Sequence, residues 1–295
     1  MIKYICLPSA GLNILKFIGI IQSFLDNKII DFDKVEGYYG ISAGSVLSSI
    51  LCLGLEYNSI VKYCIERTWH KILNVNNICV MNYFSDKGIF NKEHLVKMID
   101  PLFKSKGYNL NTLTMKEFYD STNKKLSVFA VNACSFQLKE FNYETTPDIL
   151  LIDAIYFSSC IPSVFKPYEY KGTCYIDGGL CINSPLDICL ENENITKDEI
   201  FALETDDNNS ITRDININDS FFSYILKIIS KLHIHGTGLV KNTDCKYFMR
   251  FKVIDYSKLD FNKLVMSVDM RRNIYLESIN ETNQYIESIK DKKDD

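Results

Sequence analysis

The sequence lacks the marks of several protein classes. No run of about 18 apolar residues reads as a membrane span. Ile14–Leu25 comes nearest and is interrupted by Lys16, Gln22 and Ser23. No secretory signal is legible at the start, because Pro8, Gly11 and Asn13 break the first apolar stretch and no small-residue cleavage site follows. Positive charge is not in excess: 33 Lys and Arg stand against 37 Asp and Glu, a net −4, so no global basic field exists to hold nucleic acid. With 6 prolines and 13 glycines, collagen-like and Pro-rich architectures are excluded. None of the 10 cysteines forms a CxxC pair, which removes zinc-ribbon and thioredoxin-type readings. There is no internal repeat and no Gly/Ser-rich linker. These absences predict an intracellular protein, cytoplasmic or peripheral to membranes, whose cysteines stay reduced and pack as small hydrophobes.

What remains is an ordinary globular composition. The 295 residues are 46% hydrophobic and 24% charged, enough to bury a sizeable core in one large domain and too apolar for a disordered chain. The first fifth alternates strand and helix. Lys3–Leu7 predicts a strand, Pro8–Gly11 a turn, and Asn13 a cap for a helix to about Asp26, with Ile14, Phe17, Ile18, Ile21 and Leu25 at helical spacing. A second strand is expected at Val35–Tyr39 and a second helix at Ser45–Leu53, which Gly54 can end. This alternation indicates a parallel sheet with helices on its faces. Residues 56–125 read as mostly helical, at Ser59–Trp69, Lys92–Ile99 and Met115–Asp120. Strands are expected at Leu126–Ala133, Gln137–Tyr143, Thr173–Ile176 and Glu199–Glu204, with a helix from Pro147 through Phe157. The last third reads as helical.

The strongest local signal is Gly40-Ile41-Ser42-Ala43-Gly44, a G-x-S-x-G pattern where a strand passes into a helix. In a nucleophile elbow the turn is too tight for Cβ atoms at the flanking positions, so Gly40 and Gly44 fit, and the serine is pushed clear of the backbone. The helix that follows aims its N-terminal N–H groups at the site. A Gly/Ser-rich helix start without chemistry has the same letters, and the strand–turn–helix setting favours the elbow.

A serine needs a base. None of the four histidines, His70, His94, His233 and His235, lies in a turn after a recognisable strand. His94 reads as solvent-facing on a polar helix, His70 as packed beside Trp69, and His233 and His235 as the least implausible bases. Asp177 is the better candidate, at the end of a short strand before Gly178 and Gly179. An Asp-Gly turn without chemistry gives the same letters.

These segments together resemble the patatin-like phospholipases. The strand, glycine-containing loop and helix of residues 3–26 come first. Gly40-Ile-Ser-Ala-Gly44 follows, then Ser158-Ser-Cys-Ile-Pro-Ser-Val-Phe-Lys-Pro167, then Tyr175-Ile-Asp-Gly-Gly-Leu-Cys-Ile-Asn-Ser-Pro-Leu186. G-x-S-x-G alone is weakly specific; the ordered combination is much more so. The resemblance covers about residues 3–205. It implies a three-layer α/β/α fold with a mostly parallel central sheet, a catalytic domain at 1–205, and a mostly helical part at 206–295 packed on the same domain.

The resemblance further implies Ser42 as nucleophile and Asp177 as proton acceptor. Backbone N–H groups of Ala10, Gly11 and Leu12 would form the oxyanion hole, with no cofactor and no metal. Two departures stand out. The family's G-x-G-x-x-G loop falls on Ser9-Ala10-Gly11-Leu12-Asn13-Ile14, where only the middle glycine is kept. Side chains at Ser9 and Ile14 leave the N–H donors in place, but would misdirect the loop if either position needed a positive φ. Glu36, Tyr38 and Tyr39 are also more polar than a buried parallel strand prefers.

The implied substrate is a phospholipid or other acyl-ester lipid, cleaved through an acyl-enzyme. Burial beside an acyl chain would raise the Asp177 pKa and make it a stronger base. Residues 219–234 could supply peripheral membrane contact: Phe221, Phe222, Ile225, Ile228, Ile229 and Leu232 share one face of a helix with Lys227 opposite. An ordinary core-facing helix has the same pattern and is its commoner source. The function read from the sequence is a lipid acyl hydrolase of phospholipase A type. The rivals are a weak or inactive lipid-binding protein on the same fold, favoured by the altered loop, and a histidine-assisted serine esterase or acyltransferase.

Overall fold

The computed structural model describes residues 1–73, 80–206, 215–217, 224, 227–228, 231, 244–254 and 261–291. Strand β1 is Tyr4–Leu7 and every residue in it is buried. Its side chains alternate between two cores. Ile5 and Leu7 join the larger cluster on one face, Tyr4 and Cys6 the smaller cluster on the other. Strand β2, Gly37–Ile41, repeats the pattern, with Tyr38 in the larger cluster and Tyr39 and Ile41 in the smaller. Burial on both faces is what a sheet layered between helices requires.

Among the described residues eight strands form the sheet. With β3 at Lys125–Asn132, β4 at Leu138–Phe141, β5 at Glu169–Tyr170, β6 at Thr173–Asp177, β7 at Ile200–Asp206 and β8 at Tyr247–Lys252, the order is β5-β6-β3-β2-β1-β7-β8, and β4 pairs with β3. From β3 through β8 the neighbours are parallel. The flank made by β4, β5 and β6 is antiparallel. The last third is therefore not wholly helical. Tyr247–Lys252 alternates Phe248 toward the smaller cluster and Met249 and Phe251 toward the larger, and it pairs with β7 at the end of the strand order as β8.

Helices α1 (Ile14–Asp26), α2 (Ala43–Leu51), α3 (Tyr57–Glu66), α5 (Lys92–Ser105), α6 (Met115–Thr122) and α7 (Leu151–Ser158) pack into the larger cluster. The expected start at Pro147 is too early: Ile149 and Pro147 give their carbonyls to Met115 and Lys116, and the helix begins at Leu151. Helix α8, Leu186–Asn192, covers the other face through Leu186 and Cys189. Helix α4 is Val80–Asp86, and α9 (Phe261–Met266) leads into α10, Val268–Asp291. Helix α10 crosses α1 at Gly19, where a Cβ would lie 2.6 Å from the Tyr275 carbonyl oxygen. Arg271 joins the C-terminal segment to α3. Its buried guanidinium donates to the carbonyls of Ile65, Arg67, Leu264 and Val265.

Two expected details change. Asn13 makes no side-chain cap of α1; its side-chain Oδ1 accepts from Ile254 N–H at 2.7 Å, tying the loop before α1 to the segment after β8. His94 faces partly inward, exchanging hydrogen bonds with Asn91 in a capping box at the start of α5. The amphipathic segment 219–234 lies almost wholly outside the described residues, as do His233 and His235. Among the described residues no helix is long and apolar enough to cross a membrane, and the nine described cysteines are unpaired.

Candidate active site

The site is built on β3. Strand β4 occupies one edge of β3 over Val128–Val131. The other edge is shared. Strand β2 runs along it in parallel until Ile41 meets Phe129, and β6 approaches from the opposite direction until Asp177 meets Ala130. The two strands end head to head at consecutive register positions. The residue after Ile41 is Ser42, so strand pairing brings Ser42 and Asp177 together.

Ser42 sits at the N-cap of α2 with φ 52° and ψ −121°. A non-glycine residue holds such a backbone only where the surroundings fix it, which is the condition of an elbow. Its side chain makes no capping bond. Both flanking glycines are required. A Cβ on Gly44 would lie 2.3 Å from the Leu7 carbonyl oxygen, and one on Gly40 would lie 2.6 Å from Cα of Ser45. Gly54, with φ +58°, follows the end of α2.

Asp177 is 2% exposed, as is Ser42. Its two carboxyl oxygens differ. Oδ1 accepts from Gly179 N–H at 2.7 Å and from the Ser9 hydroxyl at 3.4 Å. Oδ2 is buried and has no hydrogen-bond partner among the described residues. The Asp-Gly turn is thus real, closed through one oxygen, while the other stays unengaged. Burial pushes the Asp177 pKa up to about 7, against the weaker pull of the Ser42 hydroxyl, the Gly179 N–H and the Ser9 hydroxyl. The Ser42 hydroxyl is close enough to be the first of those opposing influences, yet the two side chains form no hydrogen bond within 3.5 Å. Such contacts are often long in an unliganded site and tighten on substrate.

The loop of residues 8–13 lies against both halves. The Pro8 carbonyl is 2.7 Å from where a Gly44 Cβ would be, and the Ser9 hydroxyl is 2.3 Å from where a Gly179 Cβ would be. Gly11 has φ +51°, whereas Ser9 and Ile14 are not among the positive-φ residues. The loop keeps its glycine where the backbone is left-handed, and the two substituted positions make no such demand. Ala10 and Leu12 flank it; Ala10 O accepts from both Asn13 N–H and the Asn13 amide. On the far side, a Gly178 Cβ would lie 2.3 Å from the Phe129 carbonyl oxygen.

A family model for patatin-like phospholipases matches residues 5–190. The chain belongs to that family. Among relatives of this patatin-like chain, the probable lipid hydrolase 463L of Invertebrate iridescent virus 6 is 30% identical over 169 residues, which are 56% of this chain and 57% of that protein. The match thus spans little more than half the length of that relative. Protein R571 of Acanthamoeba polyphaga mimivirus is 23% identical over 277 residues, 93% of this chain and 90% of that one. The crystal structure of VipD from Legionella pneumophila shares the fold at TM-score 0.55 and 17% identity, covering 97% of this chain and 67% of that one. The patatin fold, a mixed sheet between helices, is the one the sequence implied.

Two polar contacts in this patatin-like site had no role assigned from the sequence. Ser158 Oγ accepts from Ser42 N–H at 2.8 Å and donates to the Phe129 carbonyl at 2.6 Å. Ser9, which stands in place of a family glycine, reaches Asp177. Ser158 does open the Ser158–Pro167 stretch that carries part of the resemblance. No histidine among the described residues hydrogen-bonds to Ser42 or Asp177.

Proposed function

We propose that the chain is a serine acyl hydrolase acting on fatty-acyl esters of lipids, of phospholipase A type. The observation that carries this reading is the meeting of β2 and β6 on β3. It sets a strained elbow serine beside a buried carboxyl whose second oxygen is unengaged. Serine is a weak nucleophile until a base takes its proton. An aspartate at its ordinary pKa is too weak a base near neutral pH. Burial corrects this by raising the pKa toward the working pH.

In the proposed sequence Asp177 accepts the Ser42 proton as Oγ attacks the ester carbonyl. Backbone N–H groups of Ala10, Gly11 and Leu12, with the N-terminal end of α2, stabilise the oxyanion. The proton passes to the leaving alcohol as the acyl–oxygen bond breaks. Water, deprotonated by Asp177, then attacks the acyl-enzyme, and Asp177 returns that proton to Ser42 Oγ as the acyl–oxygen bond breaks and the fatty acid leaves. Membership of the patatin-like phospholipases and the similarity to a lipid hydrolase support the substrate class.

The lipid-binding rival draws on the altered glycine loop. Gly11 at φ +51° weakens it, since the loop keeps glycine where the conformation calls for one. The deciding experiment measures fatty-acid release from mixed phospholipid vesicles and from a short-chain ester by wild type, Ser42→Ala and Asp177→Asn. Release by wild type that both folded variants lose supports the Ser–Asp hydrolase. A folded wild type that binds vesicles and releases nothing from either substrate supports the rival instead.

A further inference from the structure

The end of α7 touches both halves of the site through backbone hydrogen bonds. Ser158, its last residue, is 0% exposed. Its hydroxyl takes the Ser42 N–H at 2.8 Å and gives its own proton to the Phe129 carbonyl at 2.6 Å. Two residues on, the Cys160 carbonyl accepts from Asp177 N–H at 3.0 Å. One short segment therefore holds the main chain of the candidate nucleophile and that of the candidate base.

The need for such a segment follows from the sheet. Strand β2 stops at Ile41 opposite Phe129. Past that point the elbow turns away, and the ladder can no longer pair Ser42 N–H with a neighbour on β3. Both the N–H and the Phe129 carbonyl are buried, and a buried backbone group without a partner is strongly unfavourable. A hydroxyl, being donor and acceptor at once, bridges the two. Alanine does neither, and a thiol is a weak donor and a weak acceptor.

We propose that Ser158 is a positioning residue for the reaction: its hydroxyl, seated between Ser42 N–H and the Phe129 carbonyl, holds the elbow in its left-handed conformation and so fixes Ser42 Oγ relative to Asp177. Ser158 touches no reacting atom; it acts through the main chain of Ser42. The inference rests on Ser42 being the nucleophile.

The neighbouring serine supplies the control. Ser159 is also buried, at 6% exposure, but its hydroxyl has no hydrogen-bond partner among the described residues. Ser159→Ala removes a hydroxyl from the same helix end without touching the bridge. On a soluble short-chain ester, Ser158→Ala is expected to lower kcat at least about 10-fold with KM within about twofold of wild type, because lost orientation acts on the chemical step. Ser159→Ala should keep both within about twofold. Ser158→Cys, close in volume, covers the case in which the alanine variant does not fold, and kcat should fall there too.

Hydrogen–deuterium exchange of the peptide spanning residues 40–46 reads the same bridge without turnover. The Ser42 amide should exchange faster in the Ser158 variants and unchanged in Ser159→Ala. Wild-type kcat and wild-type protection in a folded Ser158 variant overturn the proposal. So does an equal loss in Ser158→Ala and Ser159→Ala, which would mark a general packing defect. Turnover that survives Ser42→Ala overturns the hydrolase reading instead, and the catalytic half of this inference falls with it. The exchange arm then still decides whether Ser158 holds the elbow.

Discussion

Glu193 and Asp177 are both acidic side chains packed against the same sheet, and their surroundings drive them in opposite directions. Glu193 follows α8 and lies near the N-terminal ends of the strands. It receives the Tyr4 hydroxyl at 2.9 Å, the Tyr39 hydroxyl at 2.7 Å and Lys125 Nζ at 2.8 Å. Burial works against its charge, but the bonds from Lys125, Tyr39 and Tyr4 outweigh burial and hold its pKa below the usual range. Asp177, at the C-terminal ends, has donors on one oxygen only, and burial prevails. Burial alone therefore does not make a base. A carboxyl supplied with donors becomes a fixed anion that serves the fold, and one left short of them becomes a group that takes up protons near neutral pH.

The contrast can be broken most directly by activity. Ser42→Ala and Asp177→Asn should each lower ester hydrolysis by about a thousandfold or more while circular dichroism stays native. Glu193→Ala should leave kcat within about threefold. A Glu193 variant as inactive as Asp177→Asn would show that the two ends are not separable.

Stability against pH sharpens the contrast next. The folded Asp177 carboxyl keeps its proton to about pH 7, whereas in the unfolded chain it ionises near pH 4. Between those values the native state binds more protons, so this group lowers stability as pH rises. Urea unfolding at pH 5 and pH 8 should show wild type losing stability relative to Asp177→Asn, by on the order of a few kcal/mol at pH 8. Activity should run the other way, rising through about pH 7 as the base form appears. Glu193→Ala should destabilise by about 2–3 kcal/mol at neutral pH, since two tyrosine hydroxyls and Lys125 lose an acceptor. The smallest effect is expected from Ser9→Gly. Removing one weak donor from Asp177 should move the activity profile to higher pH by a few tenths of a unit, visible in kcat/KM against pH.

Much of this was legible in the sequence because it rests on local constraints. Gly40, Gly44 and Gly178 are forced by close backbone approach and Gly179 by the Ser9 side chain against it, and glycine shows in a string of letters. The alternation of strand and helix up to residue 54 follows from apolar spacing. The polarity of Tyr39 looked out of place in a buried strand because its partner, Glu193, is 154 residues away in sequence. Ser158 and Ser9 escaped for the same reason: a serine read alone does not say which main-chain group it will meet. Strand β8 was missed because only six residues carry it, between stretches whose composition reads as helical. Asn13 was a reasonable cap by type, but a tertiary contact with Ile254 claimed its side chain.

The head-to-head meeting of β2 and β6 also bears on how the molecule comes to be. Ser42 and Ser158 are 116 residues apart in the chain, and Ser9 and Asp177 are 168 apart. No fragment that forms early from local contacts can contain the site, since loops of that length must close before either strand end finds β3. During refolding from urea, helical signal should therefore return before esterase activity. A chain still emerging from the ribosome would carry Ser42 without Asp177 beside it until β6 has docked.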